Sequence, residues 1–143
     1  MVLRLHSYWA ILAVVLLLIA VGIFLFKWLN KKPYKDSDLR IALFTLIFYH
    51  IQLLLGLAWY FMSPSYKYLK EYGMGATMKD SLFRLHVVEH PLLMIIAIIL
   101  ITVGYTKHKK KTEDRSKFST LVVFYGIALL LALIRIPWQQ WLN

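Results

Sequence analysis

The chain has no cysteine among its 143 residues, which removes disulfides, thiolate metal sites and thiol chemistry together. Acidic residues are scarce, with seven Asp and Glu against 17 Lys and Arg. Of the acids, only Glu89 falls well inside an apolar stretch. No internal repeat is visible, and the polar segments are too short to form a separate soluble domain. The formal net charge of +10 does not indicate nucleic acid, because the basic residues sit mainly in short connections beside apolar runs, where they act as orientation signals.

The sequence is rich in apolar and aromatic side chains. Hydrophobic residues make up 60% of the chain and aromatic residues 15%, far above the share in ordinary soluble domains. Four long apolar stretches predict an all-α fold, a four-helix transmembrane bundle forming one integral membrane domain over residues 1–143. The predicted helices span about residues 5–29, 39–62, 80–105 and 116–138. The first run is longer than the core of a signal peptide and ends in lysines without a small-residue cleavage pattern, so it is read as a retained helix. Ser37 or Asp38 can cap the second helix, and Asp80 or Ser81 the third. Trp59 and Tyr60, and again Trp138 and Trp141, stand where interfacial aromatic belts form. The segment 63–79, rich in tyrosine and containing Gly73 and Gly75, reads as the longest loop, lying on the surface.

Short connections predict an up-down-up-down order. Lysines cluster in the first connection (Lys27, Lys31, Lys32, Lys35) and the third (Lys107, Lys109, Lys110, Lys111). The positive-inside rule then places both termini and the segment 63–79 outside, with a bacterial inner membrane as the expected location.

Ionisable residues within a span are costly and mark functional sites by default. His50 lies near the middle of the second helix, beside Tyr49 and Gln52. The third helix opens with Arg84, His86, Glu89, His90 and Pro91, His6 begins the first helix, and Arg135 falls late in the fourth. His86 and His90 share a helix face with Glu89 beside it, and Pro91 frees the carbonyl of Val87 to orient a histidine or a water. An unpaired Glu89 would be protonated there, so Arg84, Arg135 or a metal is its expected partner. His108, inside a lysine run, reads as solvated. Apart from His50, near the midplane, these polar groups gather toward the outer half of the bundle.

Three readings compete. In the first, His50 and His90 ligate a haem iron in the bundle, His6 is the strongest substitute ligand, and Arg84 and Arg135 pair with the propionates. In the second, a zinc, copper or iron ion is held by a set drawn from His50, His90, His86, Glu89 and His6. The run His86-x-x-Glu89-His90 matches a zinc hydrolase pattern, but lacks its further acidic ligand. In the third, the histidines only pack and bridge helices, and the chain is a non-catalytic accessory subunit of a membrane complex. Gly22, Gly56, Gly104 and Gly126 permit close helix contacts, either within one chain or in a homo-oligomer. No residue is assigned a catalytic role.

On His50, on Glu89-His90 and on the outward polar cluster, the chain resembles small four-helix membrane proteins grouped with b-type cytochromes. More distantly, it is similar to the four-helix haem-binding units of copper-resistance D-type and haem A synthase-type proteins. It departs from both in having no histidine in the fourth helix. The resemblance implies haem b and electron transfer, with a quinone or a redox protein as partner.

Overall fold

The computed structural model describes residues 1–139, all of whose regular structure is helical. Five helices follow in order: α1 (Val2–Leu29), α2 (Asp36–Met62), α3 (Pro64–Lys79), α4 (Ser81–Lys109) and α5 (Asp114–Arg135). Of these, α1, α2, α4 and α5 are long and apolar enough to cross a membrane. Large apolar side chains such as Leu12, Leu18, Leu54, Ile99 and Leu130 are exposed around the bundle, an exterior that water would penalise and that lipid satisfies. The chain is a multi-pass integral membrane protein.

The packing is cyclic: α1 lies against α2 and α5, and α4 lies against α2 and α5. Leu17, Phe24, Ile101, Phe118, Leu121 and Tyr125 fill the centre. Ala13, Ala20, Ala42, Ala97 and Ala128 are buried between them, the small residues that let membrane helices approach closely. The buried Tyr125 hydroxyl donates to the Ala42 carbonyl at 2.8 Å, tying α5 to α2.

The tightest approach is at Gly104, where an added Cβ would overlap the Cβ of Phe124. Both atoms belong to helix bodies and neither is the end of a flexible chain. Gly104→Leu is therefore expected to destabilise the protein by about 2 kcal/mol or more, read as a shift of unfolding in mixed micelles. Gly22→Leu, at a position with open space around it, should leave stability within about 0.5 kcal/mol. Equal losses at the two glycines would contradict this packing.

Helix boundaries differ from expectation for identifiable reasons. α2 begins at Asp36, because Lys35 is the cap residue and the Asp38 carboxylate reaches back to the Lys35 amide at 2.9 Å. Asp80 caps α4, accepting from the amides of Leu82 and Phe83. α4 continues to Lys109, past the expected end at 105. α5 stops at Arg135 because Ile136, which precedes Pro137, is extended, as the residue before a proline prefers. Trp138 thus lies past the end of α5, and Trp141 lies outside the described residues.

The segment 63–79 is not a loop. It forms α3, started by Pro64 at the first position and by Ser63 Oγ, which accepts from the Tyr66 amide at 3.2 Å. Gly73, at φ 84°, kinks it. Tyrosines attach it to its neighbours: Tyr68 stacks on Phe83 at 3.9 Å between ring centroids, and Tyr66 packs against Tyr60 and Phe61.

Candidate functional site

The start of α1, the later half of α2, the start of α4 and the end of α5 meet at one end of the bundle, around a cleft of about 600 Å³. This volume lies within the range of small-molecule and cofactor sites. His6, His86 and His90 line it, with Tyr49, Gln52 and Gly56 from α2.

The local backbone of α4 is unusual here. Residues Leu85–Glu89 form a π-helical turn, a feature often found at functional sites. Pro91 has no amide hydrogen, and the Tyr60 hydroxyl donates to the Val87 carbonyl at 3.1 Å. The donor that meets this carbonyl among the described residues is thus a tyrosine of α2 rather than a histidine. His90 Nδ1 lies 2.8 Å from the Arg135 carbonyl. A carbonyl can only accept, so His90 carries its proton on Nδ1 and keeps a lone pair on Nε2.

His6 stands across from it, the two ring centroids 6.4 Å apart and their planes at 78°. Gln52 reaches His6 twice, with Nε2 2.9 Å from the ring Nδ1 and 3.2 Å from the backbone carbonyl. Gly56 makes room for the ring, since a Cβ there would stand 3.3 Å from His6 Cε1. Among the described residues, no hydrogen bond engages Nε2 of either His6 or His90. Two imidazoles that ligate one ion through Nε2 from opposite sides have centroids on the order of 6 Å apart, given metal–nitrogen bonds of about 2 Å. The pair has that spacing.

The cleft contains two further unsatisfied atoms. Tyr49 is 4% exposed, and its hydroxyl has no partner among the described residues; Gln52 Oε1 is likewise buried and without one there. Such atoms in a native fold call for a ligand, a water or a turned amide.

The other expected site residues fall elsewhere. His50 is exposed and turned away from the bundle, its Nδ1 on the Leu46 carbonyl at 2.8 Å. Tyr49, one residue earlier and thus about 100° around the helix, takes the inward position. The structure therefore does not bring His50 and His90 together, and His6 faces His90 instead. Glu89 lies between Arg84 at 3.4 Å and Arg135 at 3.9 Å, so the carboxylate has the arginine partners its depth requires, and both arginines point to it. His86 Nδ1 meets the Leu82 carbonyl at 2.9 Å.

Among the described residues, no group of three or more His, Cys, Asp or Glu is placed to hold a metal ion. The expected non-haem set of His50, His86, Glu89, His90 and His6 is not assembled. Glu89 is drawn to the arginines, and the π turn breaks the regular helical step between His86 and His90.

A second polar cluster lies at the opposite end, where no buried polar group was expected. His108 is fully buried rather than solvated. Its Nδ1 donates to the Tyr105 carbonyl, leaving Nε2 to accept from the Tyr34 hydroxyl at 2.9 Å. Burial, with Asp38, Tyr105 and Asp36 nearby, pushes the Tyr34 hydroxyl up to about 12, so it remains a donor at neutral pH. The buried Asp38 pairs with Lys27 at 2.8 Å. The polar run Lys35-Asp36-Ser37-Asp38 is visible in the sequence, but not which of its acids turns inward.

Comparison with protein families, with curated proteins and with solved structures found no match to this chain.

Proposed function

We propose that the chain is a haem b-binding membrane protein that transfers electrons at the end of the bundle that carries the cleft, where His6 and His90 would hold the haem. The observation that carries this reading is the pairing itself: two imidazoles, edge to face, with centroids 6.4 Å apart on a cleft of about 600 Å³, and with Nδ1 of His90 anchored on a carbonyl. Histidines that hold a metal commonly donate the other ring N–H in this way, which fixes the ring and raises its basicity. For His6 the same state requires a proton on Nδ1 and the Gln52 amide turned so that Oε1 accepts it, an exchange that gives up the present Nε2 bond to the His6 carbonyl.

When bound, haem supplies one-electron chemistry whose potential is tuned by ligands and burial. The residues around it have separate tasks. Gln52 and the Arg135 carbonyl orient the rings, Gly56 leaves His6 its space, and Tyr49 offers a hydroxyl to the cleft. Glu89 holds Arg84 and Arg135, so Arg4, which lines the cleft and has no ion pair among the described residues, would be the cation to meet a propionate. Arg84 and Arg135 remain beside the site as positive charges that Glu89 only partly offsets.

The distribution of lysines supports both termini and the cleft facing outward in an up-down-up-down bundle, in a bacterial inner membrane. A quinone or a redox protein would be the electron partner. His50, a polar side chain exposed on α2 between Ile47 and Leu54, favours a contact with a second chain or a neighbouring subunit on that face.

The test is spectroscopic. Protein purified from membranes of cells supplied with haem is expected to show a Soret band with about one haem per chain. A colourless preparation that also takes up no added haemin would overturn the proposal.

A further inference from the structure

The second cleft, at the end of the bundle opposite the histidine pair, has a volume of about 580 Å³ and is lined by Lys27, Trp28, Lys31, Lys32, Asp114 and Arg115, among others. Its charges are not equivalent. Lys27 is committed to the buried Asp38 at 2.8 Å, and Asp114 accepts from the Tyr34 amide at 3.1 Å. Lys31, Lys32 and Arg115 have no carboxylate within 4.0 Å, the described ion pairs being confined to Lys27–Asp38 and to Glu89 with its two arginines.

Lys31, at φ 52°, is the left-handed residue that closes α1: the Lys32 amide donates back to the Lys27 carbonyl at 2.9 Å, a helix end of the Schellman type that turns the chain at the rim of the cleft. Arg115 lies over the Trp28 ring at 5.8 Å, which keeps its guanidinium beside the cleft. The walls are Trp28 and Phe118, an aromatic pair at the end of two membrane helices. The site thus joins three cations that have no described carboxylate partner to an aromatic wall in which Trp28 is partly exposed and Phe118 is buried.

We propose that this cleft binds the phosphate of an anionic membrane lipid, with Lys31, Lys32 and Arg115 around the headgroup and the acyl chains beside Trp28. A phosphodiester matches the set: it takes charge-assisted hydrogen bonds from a guanidinium and two ammonium groups, and basic pockets between membrane helices bind such headgroups. The inference is independent of the haem reading, as the two clefts lie at opposite ends.

The experiment uses the full chain, purified in mild detergent and stripped of lipid, with retention of dioleoyl phosphatidylglycerol measured against dioleoyl phosphatidylcholine by native mass spectrometry. The wild-type chain is expected to prefer the anionic lipid about tenfold or more. The triple variant Lys31→Gln, Lys32→Gln, Arg115→Gln should lose most of that preference. The charge-matched triple Lys109→Gln, Lys110→Gln, Lys111→Gln, at the same end but off the cleft, should keep it. Equal loss in both triples would mean diffuse surface charge and overturn the site, and displacement of the lipid by millimolar inorganic phosphate would assign it to a free phosphate instead. A second readout needs no charge variant: brominated phosphatidylglycerol should quench Trp28 fluorescence, taken as the difference from Trp28→Phe, well beyond brominated phosphatidylcholine. Equal quenching by the two lipids overturns the proposal.

Discussion

His90→Ala and His6→Ala are each expected to abolish the Soret band of the purified protein, whereas His50→Ala should leave it intact. With either imidazole removed, the cleft would keep one histidine of the pair to hold the haem, its other walls being mostly apolar. His86 lines the same cleft, but its ring is tied to its own helix turn at the Leu82 carbonyl, so His86→Ala should weaken haem binding less than tenfold, near the lower edge of outer-shell effects. His90→Asn separates ligation from folding. Its amide N–H can still donate to the Arg135 carbonyl while offering nothing in place of Nε2, so the variant should fold and remain colourless. Gln52→Leu, which removes the group holding His6, is expected to weaken binding about 10- to 100-fold. If His50→Ala were colourless and His6→Ala kept the full band, the pair would be His50 and His90, and the cleft would have to rearrange around α2.

That alternative shows what the sequence could and could not reveal. Span number and position follow from apolar runs, because lipid demands about 20 apolar residues per crossing, and the four long helices lie where hydropathy places them. Polar residues were equally visible, so His6, Glu89, His90, Arg84 and Arg135 were all identified as members of one end of the bundle. Which face of α2 looks inward was not visible. α2 is apolar on nearly every side, so Tyr49 and His50 differ only by 100° of rotation that no periodicity marks. Packing decides it, through Gly56 against His6 and Tyr125 against the Ala42 carbonyl. For the same reason Gln52 proved more informative than His50. Segment 63–79 was misread because its signal is a proline after a serine cap, with no apolar run, and two glycines resemble a loop. His108 was misread because a lysine run looks solvated, while the Tyr34 that covers it comes from a connection 74 residues earlier.

The opposite end carries the largest expected effect on stability. Asp38 is fully buried, and Lys27 holds both of its carboxylate oxygens, at 2.8 and 3.0 Å. The same carboxylate accepts from the Lys35 amide at 2.9 Å, which starts α2. Asp38→Ala therefore removes two functions and strands a lysine that is only 22% exposed. Breaking a buried pair from one side costs about 3–5 kcal/mol, a large part of a typical folding free energy. Asp38→Asn keeps an acceptor for the Lys35 amide and for Lys27 but lacks the charge, so its cost should fall well below that of alanine. The double variant Lys27→Met, Asp38→Leu is expected to recover most of the loss, because the net value of a buried ion pair over apolar residues is small once its desolvation is counted. What it should not recover is the helix start, worth about 1 kcal/mol. Unfolding in mixed micelles, followed by circular dichroism, measures all three. A loss under about 1 kcal/mol for Asp38→Ala would mean that water reaches this end of the bundle and screens the pair, as it does at exposed surfaces. Because Asp38 anchors the start of α2 to the end of α1, the predicted loss should fall on the connection that carries Lys31 and Lys32, leaving the histidine pair at the far end formed until the bundle itself unfolds.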